Sequence, residues 1–300
     1  TVDHDFVQRL MECLGAFPKG VKSMLLAFDF HYDEQGVRRE DLSAFHVPNR
    51  YAAAVAGRFP ERLEWICSVH PYRVDALDEL LWCKENAARA VKWLPSAMGM
   101  DPASPRCKSF YKSLARNRLP LLTHGGEEQA VHGGKFHDLN NPLRLRLALE
   151  ENVRVIVAHC ASLGEHVDID KSAEESRVQA FDLFTRLMDE AQYQGRLFGE
   201  ISAITQVNRA GQSLEALLKR AEWHPRLING SDYPLPGIMP LFSLRRFVEQ
   251  GLLTEVKAKV ISEIRPYNPL LFDFVLKRSL ERERNRFSPA VFESRRIFEY

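Results

Sequence analysis

Short apolar runs alternate with longer amphipathic stretches along most of the chain. The runs have the length and β-branched content of buried strands, and the stretches between them place apolar residues at helical spacing. Strands are predicted at residues 21–30, 62–69, 90–94, 119–124, 153–159, 197–202 and 226–231. Helices are predicted between them, for example at residues 49–58, 74–86, 105–116, 142–150 and 180–193. Such alternation implies parallel strands joined by right-handed crossovers.

The fold class that this pattern predicts is α/β, a (β/α)8 TIM-type barrel. The 300 residues suit one such barrel. A closed barrel has eight strands, so we expect residues 1–276 to form the barrel, with its first strand missing upstream of Thr1. Residues 277–300 are rich in charge, and we expect a helical tail packed on the barrel.

Composition narrows the set of partners. The chain has 41 Lys and Arg against 40 Asp and Glu, which predicts binding of neither nucleic acid nor an anionic membrane. Its five cysteines are scattered, and no apolar run or signal pattern stands out, so a cytoplasmic location is expected. A small-molecule substrate is therefore the expected partner. Four aromatic residues near the C-terminus also suggest a homodimer contact, namely Phe287, Phe292, Phe298 and Tyr300.

Polar side chains lie at the C-terminal ends of several predicted strands. His124 ends LPLLTH, His159 ends VRVIVAH, Asp232 follows RLINGS, and Lys92 lies within AVKWL. In an α/β barrel these strand ends share one mouth. Imidazole and carboxylate groups are good ligands for a divalent ion, so the sequence predicts a metal site there.

Three motifs, THGG, VIVAHC and LINGSDYP, occur in that order. In order and separation they resemble the metal-dependent amidohydrolase superfamily, and in particular the branch that contains decarboxylases of aromatic acids. The resemblance extends over residues 21–276 and includes the segment PNRYAAAVAGRFPERLEWICSVHPYRVDALDEL. It implies a divalent metal cofactor, zinc as the first expectation and manganese as the alternative.

The resemblance also implies roles for the strand-end residues. His124 would be a metal ligand, and His159 either a second ligand or an acid/base beside the metal. Asp232 would bind metal and take a proton from the attacking water. Lys92 would be a carboxylated ligand that bridges two ions, or else a lysine that orients substrate or pairs with a carboxylate.

One departure from the family is the absence of its His-x-His pair, which belongs to the first strand and gives two ligands. We expect that strand to lie before Thr1. The alternative is a protein without half of its metal ligands.

Further candidates for substrate contacts are Arg73, His132 and Glu200. Arg73 would hold a carboxylate, unless it forms an ion pair with Asp75 or Asp78 at a helix start. His132 lies in the polar loop after His124, where a solvated histidine is the alternative. Glu200 lies on the predicted strand 197–202, where it would face the mouth or serve as a barrel-layer carboxylate hydrogen-bonded to a neighbour.

Two further residue types have structural interpretations. Glu127 and Glu128 follow His124 and are candidates to orient its imidazole. Cys160 follows His159 and is expected to be a packing residue on the opposite side of the strand.

These features predict an enzyme that hydrolyses a small-molecule amide, ester or lactone with a metal-activated water. The first alternative is a metal-dependent decarboxylase of a small carboxylic acid. The second is a barrel that has lost catalysis and serves as a scaffold. The absent His-x-His pair favours the scaffold, and the polar strand ends oppose it.

Overall fold

The computed structural model describes residues 2–129, 134–171 and 176–299. The chain divides into two compact units. The small unit consists of Thr1–Ser23 and Ile201–Ser294, and the large unit of Met24–Glu200 and Arg295–Tyr300.

The structure contains short strands and helices that alternate over most of the chain. The strands are β1 (Ser23–Leu26), β2 (Leu63–Ile66), β3 (Val91–Trp93), β4 (Leu121–His124), β5 (Val155–Ala158), β6 (Glu165–Val167), β7 (Arg177–Gln179), β8 (Leu197–Glu200) and β9 (Leu227–Ile228). The helices are α1 (Val2–Gly15), α2 (Asn49–Arg58), α3 (Ala76–Glu85), α4 (Pro95–Met98), α5 (Lys108–Asn117), α6 (Arg146–Glu150), α7 (Ala180–Asp189), α8 (Gln212–Lys219), α9 (Leu244–Glu249), α10 (Glu255–Ile264), α11 (Pro269–Ser279) and α12 (Pro289–Phe292).

The large unit is built on a parallel sheet. Strands β3, β4, β5 and β8 pair side by side in that order, each parallel to the next. Cys67, directly after β2, forms a parallel bridge with Val91, and β2 pairs with β1. Neighbours in the sheet therefore follow one another along the chain, as successive βα units do in a barrel.

Burial explains why these runs form strands. All residues of β2, β3, β4, β5 and β8 are buried, so each strand is covered on both faces. Parallel strands flanked by helices have this continuous apolar pattern. Their common direction brings the C-terminal residues of β4, β5 and β8 to the same edge of the sheet.

The small unit contains α1, α8 to α12 and β9. Asn268 caps α11 by accepting the N–H of Leu271 at 3.0 Å, and Pro269 occupies the first turn. A proline at this position fits a helix start, because its missing N–H would have no intrahelical partner. The start of α11 is thereby fixed.

The strand predictions are confirmed, since each of the seven predicted runs contains an observed strand. Two strands that the pattern did not predict, β6 and β7, follow β5 and pair antiparallel with each other. Each of these two strands has only three residues. Both strands are also partly exposed and polar, so they lack the continuous apolar run that identifies a buried strand.

The C-terminal region differs from the predicted helical tail. Helix α11 continues past residue 277 to Ser279, and α12 is a separate short helix. Phe287 and Phe298 are buried, so these two aromatic side chains do not offer the exposed dimer contact expected from the sequence. Tyr300 lies outside the described residues. The homodimer stays a prediction without this support.

Among the described residues, no helix has both the length and the apolar character needed to cross a membrane.

Candidate active site

Two histidines lie side by side at the ends of neighbouring strands of the large unit. His124 is the last residue of β4, and its register partner on β5 is Ala158, directly before His159. The ring centroids are 5.4 Å apart. Both side chains are almost fully removed from solvent. The parallel register thus produces the imidazole pair that the sequence predicted.

Each imidazole has a carboxylate near it. The Nδ1 atom of His124 lies 3.2 Å from Oε2 of Glu128, and its Nε2 atom lies 3.2 Å from the backbone oxygen of Glu127. Glu200, the last residue of β8, accepts the backbone N–H of His159 at 3.4 Å, and its Oε2 lies 3.9 Å from Nδ1 of that ring. The Nε2 contact with the Glu127 oxygen orients the ring of His124, and Glu200 holds His159 through its backbone N–H.

The backbone is strained where His159 leaves β5. His159, Cys160 and Ala161 have φ values of 54°, 50° and 49°. Residues with a Cβ rarely occupy this left-handed region, at a cost on the order of 1–3 kcal/mol each, and such residues concentrate at functional sites. The turn directs the chain away from the strand immediately after the histidine.

Cys160 is buried, and its Sγ lies 3.6 Å from the backbone oxygen of Glu200. Burial raises the pKa of its thiol well above the usual value. The thiolate is the nucleophilic form of cysteine, so this residue is suited to packing rather than to covalent chemistry.

Lys92 lies at the centre of β3 and is buried. Its backbone N–H donates to the oxygen of Cys67 at 2.6 Å, and its own carbonyl accepts from Ser68 Oγ at 2.8 Å. Its register partner on β4 is Leu122, two residues before His124. Carboxylation of this lysine stays a prediction.

Arg73 already has carboxylate partners. Its guanidinium donates to Asp75 through Nε and Nη2, both at 2.8 Å, and to Asp29 through Nη1 at 3.0 Å. This arrangement favours the ion-pair interpretation of Arg73 over the binding of a substrate carboxylate.

Asp232 belongs to the small unit and follows β9 in the segment INGSD. Its φ is 52°, again in the left-handed region, and its carbonyl accepts the N–H of Leu235 at 3.0 Å. The backbone of Asp232 is therefore strained in the same way as that of His159, as is common for residues at functional sites. The other loop candidate, His132, lies outside the described residues.

His31, which follows β1 in the large unit, is a further buried histidine that was not among the candidates from the sequence. Its Nδ1 lies 3.0 Å from the backbone oxygen of Ala97, and its ring is 5.3 Å from that of Phe136. Phe136 lies in the segment Gly134–Asn140, which follows the His124 strand. The only sequence signal was a histidine after a predicted strand.

Gly99 makes room for the ring of His31. A Cβ at Gly99 would lie 2.2 Å from Cε1 of His31, and the φ of Gly99 is +71°. A Gly99→Ala variant is therefore expected to lower the free energy of unfolding by about 2 kcal/mol, as measured by denaturant titration.

Gly57→Ala is the matched control, because Gly57 is in α2 and has open space at its Cβ position. We expect it to raise stability by roughly 0.5–1 kcal/mol. Equal effects of the two substitutions would contradict the packing argument.

A second histidine pair, His137 and His166, lies in the segments that follow β4 and β5. Their rings stack at 4.8 Å, and Nδ1 of His166 lies 3.8 Å from Oδ1 of Asp138. Burial, with a smaller effect from His137, lowers the pKa of His166 to about 4. This ring is therefore neutral at physiological pH.

The side chains of the site fit a divalent ion in kind, since imidazole nitrogens and carboxylate oxygens are suitable donors. In the part of the chain that the structure describes, no group of three or more His, Cys, Asp or Glu side chains is arranged to hold one. A complete ligand shell thus requires donors beyond His124 and His159.

The family model described as Amidohydrolase matches residues 15–261. The chain belongs to this family. Its fold class is accordingly the TIM barrel, as predicted, and the superfamily consists generally of enzymes that bind divalent metals. A comparison with curated proteins finds no match.

Solved structures with a similar fold have low sequence identity to this amidohydrolase-family chain. An uncharacterized TIM-barrel protein from Bordetella bronchiseptica is 15% identical, with 89% of this chain and 82% of that chain covered and a TM-score of 0.50. The Metarhizium anisopliae IDCase in apo form is 13% identical, with 98% and 79% covered and a TM-score of 0.50. A 5-carboxyvanillate decarboxylase from Novosphingobium aromaticivorans with bound manganese is 10% identical, with 76% and 70% covered and a TM-score of 0.46.

Proposed function

We propose that this chain is a divalent-metal-dependent hydrolase that cleaves a small-molecule amide, ester or lactone. The observation that carries the proposal is the buried pair His124–His159, in which each imidazole has its own carboxylate partner. Membership of the amidohydrolase family supports it. Zinc is the expected ion, and manganese is the alternative.

In the roles that the family resemblance implies, His124 and Asp232 would be ligands of the ion, and His159 would be either a further ligand or an acid/base beside it. The bound ion would supply Lewis acidity and a water whose pKa is lowered towards about 7. Asp232 takes the proton of the attacking water and returns it to the leaving group. As an acid/base beside the ion, His159 would donate a hydrogen bond to the oxygen on which negative charge develops, and Glu200 would help to hold this residue in place by accepting its backbone N–H.

Metal content by mass spectrometry tests this function most directly. The purified chain is loaded with zinc or manganese and compared with the variants His124→Ala and Asp232→Ala. We expect one or two ions in the parent chain and loss of metal in both variants. His4→Ala serves as the control, because His4 is exposed in α1 and should leave the content unchanged.

Product analysis then separates hydrolysis from decarboxylation. A screen of lactones, esters, amides and aromatic acids should yield a hydrolysis product without carbon dioxide. Release of carbon dioxide would replace the hydrolase by a decarboxylase with the same metal site. A parent chain that takes up neither ion after loading would contradict both reactions and favour a scaffold.

A further inference from the structure

The small unit contains a fully buried ion pair that the proposed chemistry does not use. Lys277 and Asp273 lie one turn apart on α11, with Nζ of Lys277 2.7 Å from Oδ2 of Asp273. Their side chains are 0% and 1% exposed. Two charges with no access to water are costly unless every donor and acceptor is satisfied. Such a pair needs a reason to be retained.

The ammonium group of Lys277 also reaches the segment that carries Asp232. Its Nζ donates to the backbone oxygen of Gly230 at 2.7 Å and to Oδ1 of Asn229 at 3.3 Å. Together with Asp273, these contacts provide an acceptor for each of its three N–H groups. Two of the three acceptors therefore belong to the strand-end segment INGSD.

Asn229 is held from its backbone as well. Its N–H donates to the oxygen of Val291 at 2.8 Å and to Oγ of Ser294 at 3.0 Å, and its carbonyl accepts from that hydroxyl at 3.0 Å. The residues before Asp232 are thus fixed on both sides. Asp232 itself has a φ of 52°, a conformation that persists only where the surroundings impose it.

We infer that Lys277 is a positioning residue that holds the segment 229–232, so that the carboxylate of Asp232 is fixed for its task. The inference rests on the proposed function, because it assigns Lys277 a part in presenting Asp232. Lys277 acts through Asn229 and Gly230, and Asp273 keeps the ammonium in place. The sequence predicts Lys277 as the first residue of a charge-rich helical tail, whereas in the structure its side chain is fully buried.

The test uses the full chain and two independent measurements. The first is amide hydrogen exchange of residues 229–235, where the N–H of Leu235 bonds to the carbonyl of Asp232. The second is the dissociation constant for Mn²⁺. In Lys277→Met we expect exchange in this segment to rise about tenfold or more, and Mn²⁺ binding to weaken about 10- to 100-fold.

A double variant separates positioning from stability. Lys277→Met alone leaves Asp273 as an uncompensated buried charge, whereas Asp273→Leu/Lys277→Met removes both charges. The double variant should recover thermal stability but keep fast exchange at 229–235 and weak Mn²⁺ binding, since Gly230 still lacks its donor. Leu276→Ala, a buried change on the same helix, controls for general destabilisation and should not affect the segment selectively.

The outcomes distinguish the inference from the proposed function. If Asp232→Asn weakens Mn²⁺ binding while Lys277→Met changes neither exchange nor binding, the positioning role is overturned and the proposed function stands. If Asp232→Asn binds Mn²⁺ as tightly as the parent chain, Asp232 is not a metal ligand. This outcome contradicts the proposed function at Asp232 and also the positioning role of Lys277, which depends on it. Slow exchange of residues 229–235 in the double variant would show that Lys277 is not needed to hold this segment. This outcome would also overturn the positioning role.

Discussion

A His159→Ala variant is expected to lose turnover of the substrate found by the screen by about 10²–10⁴-fold. The side chain removed is the one that the proposed mechanism uses to stabilise developing negative charge. Its ring is buried, 5.4 Å from that of His124, so water cannot readily replace it. Steady-state kinetics on the metal-loaded chain would show the loss chiefly in kcat.

Cys160→Ala is the matched control for this variant. Cys160 is the next residue, is equally strained in its backbone, and packs against Glu200 with a protonated thiol. We expect its turnover to stay within about twofold of the parent chain, because Cys160 contributes packing and takes no part in the proposed chemistry. Similar losses in both variants would mean that the turn, and not the imidazole, is what activity requires.

An Arg186→Met variant is expected to lower the free energy of unfolding by about 3 kcal/mol. Asp168 is fully buried, and Arg186 binds both of its oxygens, Nη1 to Oδ1 at 2.7 Å and Nη2 to Oδ2 at 2.6 Å. Removal of the guanidinium leaves this carboxylate with the more distant Lys171, at 3.4 Å. Since Arg186 is 35% exposed, water compensates in part, which places the effect at the low end for buried pairs.

Denaturant titration at neutral pH measures this loss. Arg245→Met removes the exposed pair with Glu249 and should change stability by no more than about 0.5 kcal/mol. An equally small effect of Arg186→Met would contradict the importance of the buried pair.

The effect of Arg186 should also depend on pH. The hydrogen bonds from Arg186 hold the pKa of Asp168 well below the usual range, although burial acts to raise it. The Asp170 N–H and Lys171 lower this pKa further, by smaller amounts. A lowered folded pKa gives stability that is fully present above the unfolded value of about 3.9 and is lost as the pH falls below it. The difference between the parent chain and the variant should therefore shrink only in strongly acidic solution.

The strand positions and the strand-end histidines could be predicted because both depend on local patterns. A buried parallel strand needs a continuous apolar run, and β4 and β5 have one that ends at a histidine. Parallel pairing then brings those ends to one edge of the sheet. The pair His124–His159 follows from this geometry without further information.

The partners of charged side chains were not predictable in the same way. Arg73 has Asp75 two residues away, which the sequence shows, but its second partner Asp29 is 44 residues away. Lys277 looked like one of many charges in a tail, yet it is buried against Asn229 and Gly230. Which carboxylate or carbonyl a long side chain reaches depends on how distant segments pack.

The sequence by itself determined the order of strands, the residues at their ends and hence the family and the candidate metal donors. It did so because hydrophobic period and strand direction are encoded within a few neighbouring residues. The tertiary structure alone decided that Glu200 lies beside His159, that Asp29 joins Asp75 at Arg73, and that Lys277 lies in the interior. Those outcomes depend on contacts between residues far apart in the chain. A buried charge is costly unless it is paired, and the packing of distant segments decides which partner it has.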